Sequence, residues 1–352
     1  MTRKQAFFDE SGDYCSFFHK WYADRAQIAC AGSLLAVRRL LSAHRAQPYT
    51  LAEPPSTRTA RVITKENTAM LIDFRVRPPY KTNLTTSLYN KPAPSSDPTK
   101  QSIFLIGKER VPSAEARSIE LFMQEMDETE TERAVIMGRK ADDYGSVDND
   151  EIDELARAYP GRFIPFAGVN PNLPGQVEEI ERVAAMGFRG VGIDAGWLRR
   201  PLYHDDPVFD PIYAKCQELG MIVSLTSSFM LGPDLSYSEP CAIQRVAMKY
   251  PNMKIVVPHG CWPHVHAALA VAIRCPNVYL MPDCYIYING FALSDEYIKA
   301  ANTYLKYRIL YASSYPVRSL SQCLRGWKSR GFTDEALQNT LYDNAARLLG
   351  EK

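Results

Sequence analysis

The chain has 352 residues, 46% apolar and 23% charged, a composition able to bury the core of one large globular domain. The 41 basic and 40 acidic side chains leave a net charge of +1, which excludes the strongly basic field of a nucleic-acid partner. No run of about 18 apolar residues exists, so no membrane-spanning helix is expected.

Residues 1–30 lack a convincing period, 32–45 suit one short helix, and 47–62 are rich in Pro, Ser and Thr, which reads as a linker. Met70 stands directly before a strong strand. Residues 1–69 are therefore read as a loosely ordered N-terminal extension, or as upstream of the true start at Met70. A mitochondrial presequence is a weaker option.

From Met70 onward, β-branched apolar runs alternate with amphipathic stretches. Strands are expected at 70–76, 132–137, 163–169, 188–194, 221–226, 254–258, 277–281 and 308–312. Helices are expected near 113–127, 150–158, 174–186, 210–219, 238–250, 263–274, 294–305 and 317–329, with a last one over 333–349. Eight βα units, with no GxGxxG after the first strand, define an α/β fold of the (β/α)8 TIM-barrel type over 70–352. Asp210-Pro211 and Ser238-Glu239-Pro240 read as helix starts, each a polar cap followed by a first-turn proline. The long connection 77–112, rich in Pro, Asn, Thr and Ser, is expected to be a lid.

Eight cysteines without a CxxC pair read as buried reduced thiols of a cytoplasmic protein. Cys261 as a nucleophile lacks a base beside it.

Barrel chemistry collects at the C-terminal strand ends. Those ends carry Asp73, Arg75 and Arg77; Arg139; Asp194; Thr226; His259, Cys261 and Trp262; Asp283, Tyr285 and Tyr287; and Ser314 and Tyr315. Arg75, Arg77 and Arg139 suit bidentate binding of a carboxylate or phosphate, although each could instead be paired with Asp73, Asp194 or Asp283. His259 is the candidate acid or base, with Asp283 orienting it. Trp262, Tyr285 and Tyr315 suit a pocket for a flat substrate.

Five landmarks stand in order along the barrel: Ile72-Asp73, Tyr250 to Val256 leading to His259-Gly260, Pro276 to Leu280, Ser313 to Pro316, and Asn344 to Gly350. Together they resemble the amidohydrolase-related family that includes aminocarboxymuconate-semialdehyde and resorcylate-type decarboxylases. The resemblance implies a TIM barrel that forms a dimer and acts as a hydrolase or carbon–carbon lyase. It also implies metal ligands at five positions, and there the sequence departs from the family. The two histidines of the first-strand motif fall at Arg75 and Arg77, the strand-five histidine at Thr226, and the strand-eight aspartate at Ser314. Only the strand-six histidine remains, as His259. Arginine offers no lone pair to a metal, and Thr and Ser are poor zinc ligands.

The expectation is an enzyme that needs no metal. Its substrate is a small, cyclic, carboxylate-bearing molecule, held by Arg75, Arg77, Arg139, Trp262, Tyr285, Ser314 and Thr226. His259, Asp283 and Tyr315 form the catalytic set. The alternatives are an inactive anion-binding pseudoenzyme and a zinc or manganese hydrolase built on His259, Asp283 and Asp73.

Overall fold

The computed structural model describes residues 70–351 except 91–95, 101, 103, 104 and 289. The expectations for residues 1–69 lie outside the described residues.

Seven parallel strands form one sheet in sequence order: β1 (Leu71–Val76), β2 (Thr131–Met137), β3 (Phe163–Gly168), β4 (Gly190–Ile193), β5 (Ile222–Leu225), β6 (Ile255–Pro258) and β7 (Val278–Met281). The eighth run, expected as a strand over 308–312, makes no continuous ladder. Instead this run and the residues just after it touch both neighbours at isolated points. Ile309 bridges Leu280 of β7, the Phe74 amide donates to the Tyr311 carbonyl at 3.1 Å, and Val76 bridges Tyr315. These contacts close the seam between β7 and β1, giving the TIM barrel.

Two apolar layers follow from strand alternation. Ile72, Phe74, Val135, Met137, Phe166 and Val256 share one cluster, and Phe74 meets Phe166 edge-on at 5.8 Å. Leu71, Ala134 and Ile136 join the other cluster with Phe122 and Met126 of the helix Ile119–Glu128.

Most helices fall where expected, with three corrections. The stretch 113–127 is two helices, Pro112–Ala116 and Ile119–Glu128. Arg117 breaks it in a left-handed conformation, and Ser118 recaps the second helix through the Leu121 amide. Asp210 is already helical rather than a cap, and its carboxylate binds Tyr250 and Lys249. Glu239, before Pro240, also caps nothing with its side chain. Thr333 does cap the last helix, accepting from the Ala336 amide. That helix runs from Asp334 to Leu348 with a π-helical middle, Asn339–Asp343. It is tied to the starts of the barrel strands: Arg189 and Lys254 donate to the carbonyls of Leu349 and Leu348, beyond and at its last residue.

The long connection after β1 is anchored on both sides of its undescribed centre. Thr82 binds Glu151, Ser87 binds the Tyr144 carbonyl, and Gln322 binds the Gly107 carbonyl. Among the described cysteines Cys216, Cys261, Cys275, Cys284 and Cys323 are buried thiols, but Cys241 is exposed. No helix among the described residues is long and apolar enough to cross a membrane.

Candidate active site

The site is assembled at the C-terminal strand ends, and local backbone irregularity positions it. On β1, Asp73 pairs with Ala134 and Val76 with Ile136, so three residues advance against two on β2. This bulge releases Arg75 from the ladder beside the inward Phe74. At β2, Gly138 is obligatory: a Cβ there would lie 2.2 Å from the Gly168 amide nitrogen, and one on Gly168 would meet the Arg139 backbone at 2.5 Å. The two glycines let adjacent strand ends close up and fix where Arg139 departs. His259, Asp283 and Ser314, which follow β6, β7 and the eighth run, have φ of 66°, 36° and 55°. Left-handed backbone at these three non-glycine residues costs on the order of 1–3 kcal/mol each.

Asp283 is the hub. Its Oδ1 lies 2.8 Å from His259 Nδ1 and accepts the Cys284 amide at 2.5 Å; its Oδ2 accepts from Arg75 Nη1 at 3.2 Å. Arg75 Nη1 also donates to Ser314 Oγ at 2.7 Å. Burial would raise the Asp283 carboxyl, but His259 and Arg75 hold it well below the usual range. Because Asp283 is an anion that can only accept, His259 carries its proton on Nδ1, leaving Nε2 as the acceptor. Burial pushes the imidazole below its ordinary value, against the pull of Asp283, so it is neutral near pH 7.

A second pair stands beside the first. Arg139 Nε donates to Asp194 Oδ2 at 3.0 Å, and Arg77 Nη2 lies 3.9 Å from the same oxygen. The Arg139 guanidinium stacks 4.6 Å over Trp197. Burial would raise Asp194, yet Arg139 and Arg77 bring it down to about 2. Arg77 is pushed well below its ordinary value by burial, then by repulsion from Arg75 and Arg139. Three guanidiniums therefore face two ion-paired carboxylates. The third acid, Asp73, turns its Oδ1 to the amides of Arg75 and Ser313, and burial raises it to about 6.

The arginines are partly paired, and partly not. Arg77 Nε and Nη2, and Arg139 Nη1 and Nη2, are buried without a hydrogen-bond partner. Asp194 Oδ1, Asp73 Oδ2 and His204 Nδ1 are unpartnered acceptors in the same condition.

Not every expected residue converges here. Tyr315 turns its hydroxyl to Ser113 at 2.7 Å and its ring to Phe122, so it belongs to the layer outside the barrel. Trp262 and Tyr285 stack at 5.1 Å and pack with Phe291, forming an aromatic cluster whose Tyr285 ring meets His259 edge-on at 5.7 Å. Thr226 is buried, and its carbonyl accepts from His204 Nε2 at 2.9 Å. His204 was not singled out in the sequence; it lies in the loop after β4, eleven residues from the strand end at Ile193, where no spacing rule points to it.

One cluster has a metal-like composition: ligand atoms of His259, Asp283 and Cys284 lie within 4.8 Å of one another. Asp73 is not among them, since its Oδ1 holds the Arg75 and Ser313 amides. The cluster does not fit a divalent cation. Both Asp283 oxygens are engaged by His259 and Arg75, the Arg75 cation abuts the carboxylate, and burial raises the Cys284 thiol far above its ordinary value.

With this geometry in place, the relatives are informative. The family described as Amidohydrolase matches residues 81–350, and the chain belongs to that family. A TIM-barrel protein of Bordetella bronchiseptica with no assigned function is 32% identical, with a TM-score of 0.74 over 80% of this chain and 99% of its own. A probable 2-pyrone-4,6-dicarboxylic acid hydrolase of Acinetobacter baumannii, solved with citric acid bound, is 15% identical with a TM-score of 0.56, covering 80% and 99%. A 5-carboxyvanillate decarboxylase of Novosphingobium aromaticivorans, with bound manganese, is 17% identical with a TM-score of 0.56, covering 80% and 96%. At those identities the last two share the fold. No curated protein matches the sequence.

Proposed function

We propose that this barrel is a hydrolase acting on a small carboxylate-bearing compound, with an arginine anion site in place of the family's metal centre. The carrying observation is the set of buried, unpartnered donors on Arg77 and Arg139. Leaving a charged donor buried and unmatched costs about 1–3 kcal/mol or more, and an anionic ligand removes that cost. Guanidinium edges match a carboxylate in two-point geometry. The probable 2-pyrone-4,6-dicarboxylic acid hydrolase and the 5-carboxyvanillate decarboxylase, both named for carboxylated substrates, agree with that ligand class.

His259 is the base. Its Nε2 makes no hydrogen bond to the described residues, while Nδ1–H is held by Asp283. A neutral imidazole in that tautomer can take a proton from water as the water attacks an ester, lactone or amide carbon. The buried guanidiniums stabilise the oxyanion that develops. Decarboxylation would instead need an acid to protonate the carbon that loses CO2, and a neutral His259 does not supply that proton. Hydrolysis is therefore the favoured member of the pair. The cluster of Trp262 and Tyr285 packs against His259, and Arg75 with Ser314 holds Asp283 in place. A cytoplasmic location and a dimeric state accompany this reading as expectations.

The test is calorimetric titration of benzoate and phenylacetate into the full chain and into Arg77→Gln. Binding by the wild type and a loss of about tenfold or more in the variant support the anion site. Equal affinity in both proteins, or no binding in either, overturns it.

A further inference from the structure

Arg139 and Asp194 meet through one contact only, Nε to Oδ2 at 3.0 Å. A guanidinium and a carboxylate can form two parallel bonds, and this pair does not. Arg139 Nη1 and Nη2 stay open as donors, and Asp194 Oδ1 is a buried acceptor with no partner in full hydrogen-bond geometry, the Thr226 hydroxyl being the donor group that leans towards this carboxylate. A second acceptor stands nearby. His204 is 2% exposed and bonds the carbonyl of Thr226, whose own amide donates at 3.0 Å to the carbonyl of Ile193, the residue before Asp194. Its Nε2 lies 2.9 Å from the Thr226 carbonyl, which can only accept, so the proton is on Nε2 and Nδ1 presents a bare lone pair. That Nδ1 is likewise buried without a partner. Burial lowers the imidazole to about 4, so it does not protonate to solve the problem itself.

We infer that Asp194 and His204 form the acceptor half of the ligand site, so that the bound molecule carries a hydroxyl or amino hydrogen on the atom next to its carboxylate. This rests on the anion-site reading above and narrows it. The open donors and the open acceptor belong to two groups already in contact, so a ligand with its acceptor and donor on neighbouring atoms can meet both. A 2-hydroxy or 2-amino acid does so, and a plain carboxylate leaves Asp194 Oδ1 and His204 Nδ1 unmatched. A site whose buried polar groups are left unpaired rejects the analogue that lacks the matching group. His204 is then a specificity residue, and its bond to Thr226 aims it.

The experiment compares mandelate with phenylacetate, which differ by one hydroxyl, on the full chain and on two variants. His204→Gln can still donate to the Thr226 carbonyl through its amide but places no acceptor at the Nδ1 position. His204→Asn places an amide oxygen near Nδ1 and drops the Thr226 bond. The wild type is expected to bind mandelate about tenfold or more tightly than phenylacetate. His204→Gln should bind phenylacetate as the wild type does while losing the preference, and His204→Asn should recover part of it. Thermal unfolding without ligand checks that each variant is folded. Equal wild-type affinities for the two probes overturn this inference while leaving the anion site standing. A preference that survives in His204→Gln removes His204 from the site. Failure of both probes to bind the wild type overturns the anion-site reading and this inference with it.

Discussion

Asp283 accepts His259 on one oxygen and Arg75 on the other, at 2.8 and 3.2 Å, so one buried carboxylate holds both the base and a cation of the site. Breaking a buried ion pair from one side costs about 3–5 kcal/mol, because the partner stays buried and unmatched. Asp283→Asn should therefore lower stability by several kcal/mol, read by denaturant unfolding. If it folds, its kcat should fall by about a hundredfold or more, with KM less affected, because the tautomer of His259 is no longer set. A variant with full activity would remove Asp283 from the orienting role.

The rate should also report the state of His259. Burial places its folded value below the ordinary imidazole value of 6.5, and only the neutral form accepts a proton. The pH profile of kcat/KM should thus be flat around pH 7 and fall only as pH drops below about 6.5. A rate that rises through that range on acidification would assign His259 as an acid and favour decarboxylation.

Asp73 and His204 make opposite demands on stability. Asp73 is raised from 3.8 to about 6, so folding favours its protonated form. Between those values the native state binds more protons than the unfolded chain, and stability falls as pH rises. The cost is fully present above pH 6 and vanishes below 3.8. Asp73→Asn keeps an oxygen for the two amides and removes the charge. It should be more stable than the wild type by about 2–3 kcal/mol at pH 8, with the gain shrinking towards pH 4, as measured by urea unfolding at both pH values.

His204 is lowered from 6.5 to about 4, so here the unfolded chain binds the extra proton and stability falls as pH drops through that window. His204→Gln lacks the effect. The stability gap between wild type and variant should therefore close by about 2–3 kcal/mol between pH 7 and pH 4.5. A gap independent of pH would mean that His204 is not buried as a neutral ring.

The close approach of β2 and β3 gives a structural prediction. Gly138→Ala puts a Cβ 2.2 Å from the Gly168 amide nitrogen, where only backbone can yield. It should cost several kcal/mol and appear as loss of soluble protein or a large drop in Tm, whereas Gly107→Ala, with nothing within 4 Å, meets no clash and strains only its positive φ.

Much of this was readable in the residues. β-Branched runs located all seven strands, and the eighth segment was found by the same signal, although too few of its backbone groups pair to make a ladder. Arg75, Arg77, Arg139, His259 and Asp283 follow from reading strand ends, because barrel geometry gathers those ends. What escaped depends on three-dimensional detail. Strand alternation gives no hint of the β1 bulge. Tyr315 sits at a strand end but turns outward to Ser113, and a sequence carries no sign of rotamer. His204 arrives from a loop, and its importance lies in an unmatched nitrogen rather than in a motif.

The central claim is that guanidinium charge stands where this family places a metal. The most direct test is the metal content of the full chain by inductively coupled plasma mass spectrometry, with benzoate binding measured before and after chelation. The account predicts zinc and manganese far below one ion per chain and an affinity that chelation does not change. A stoichiometric metal that survives dialysis, and carboxylate binding that disappears on its removal, would contradict it.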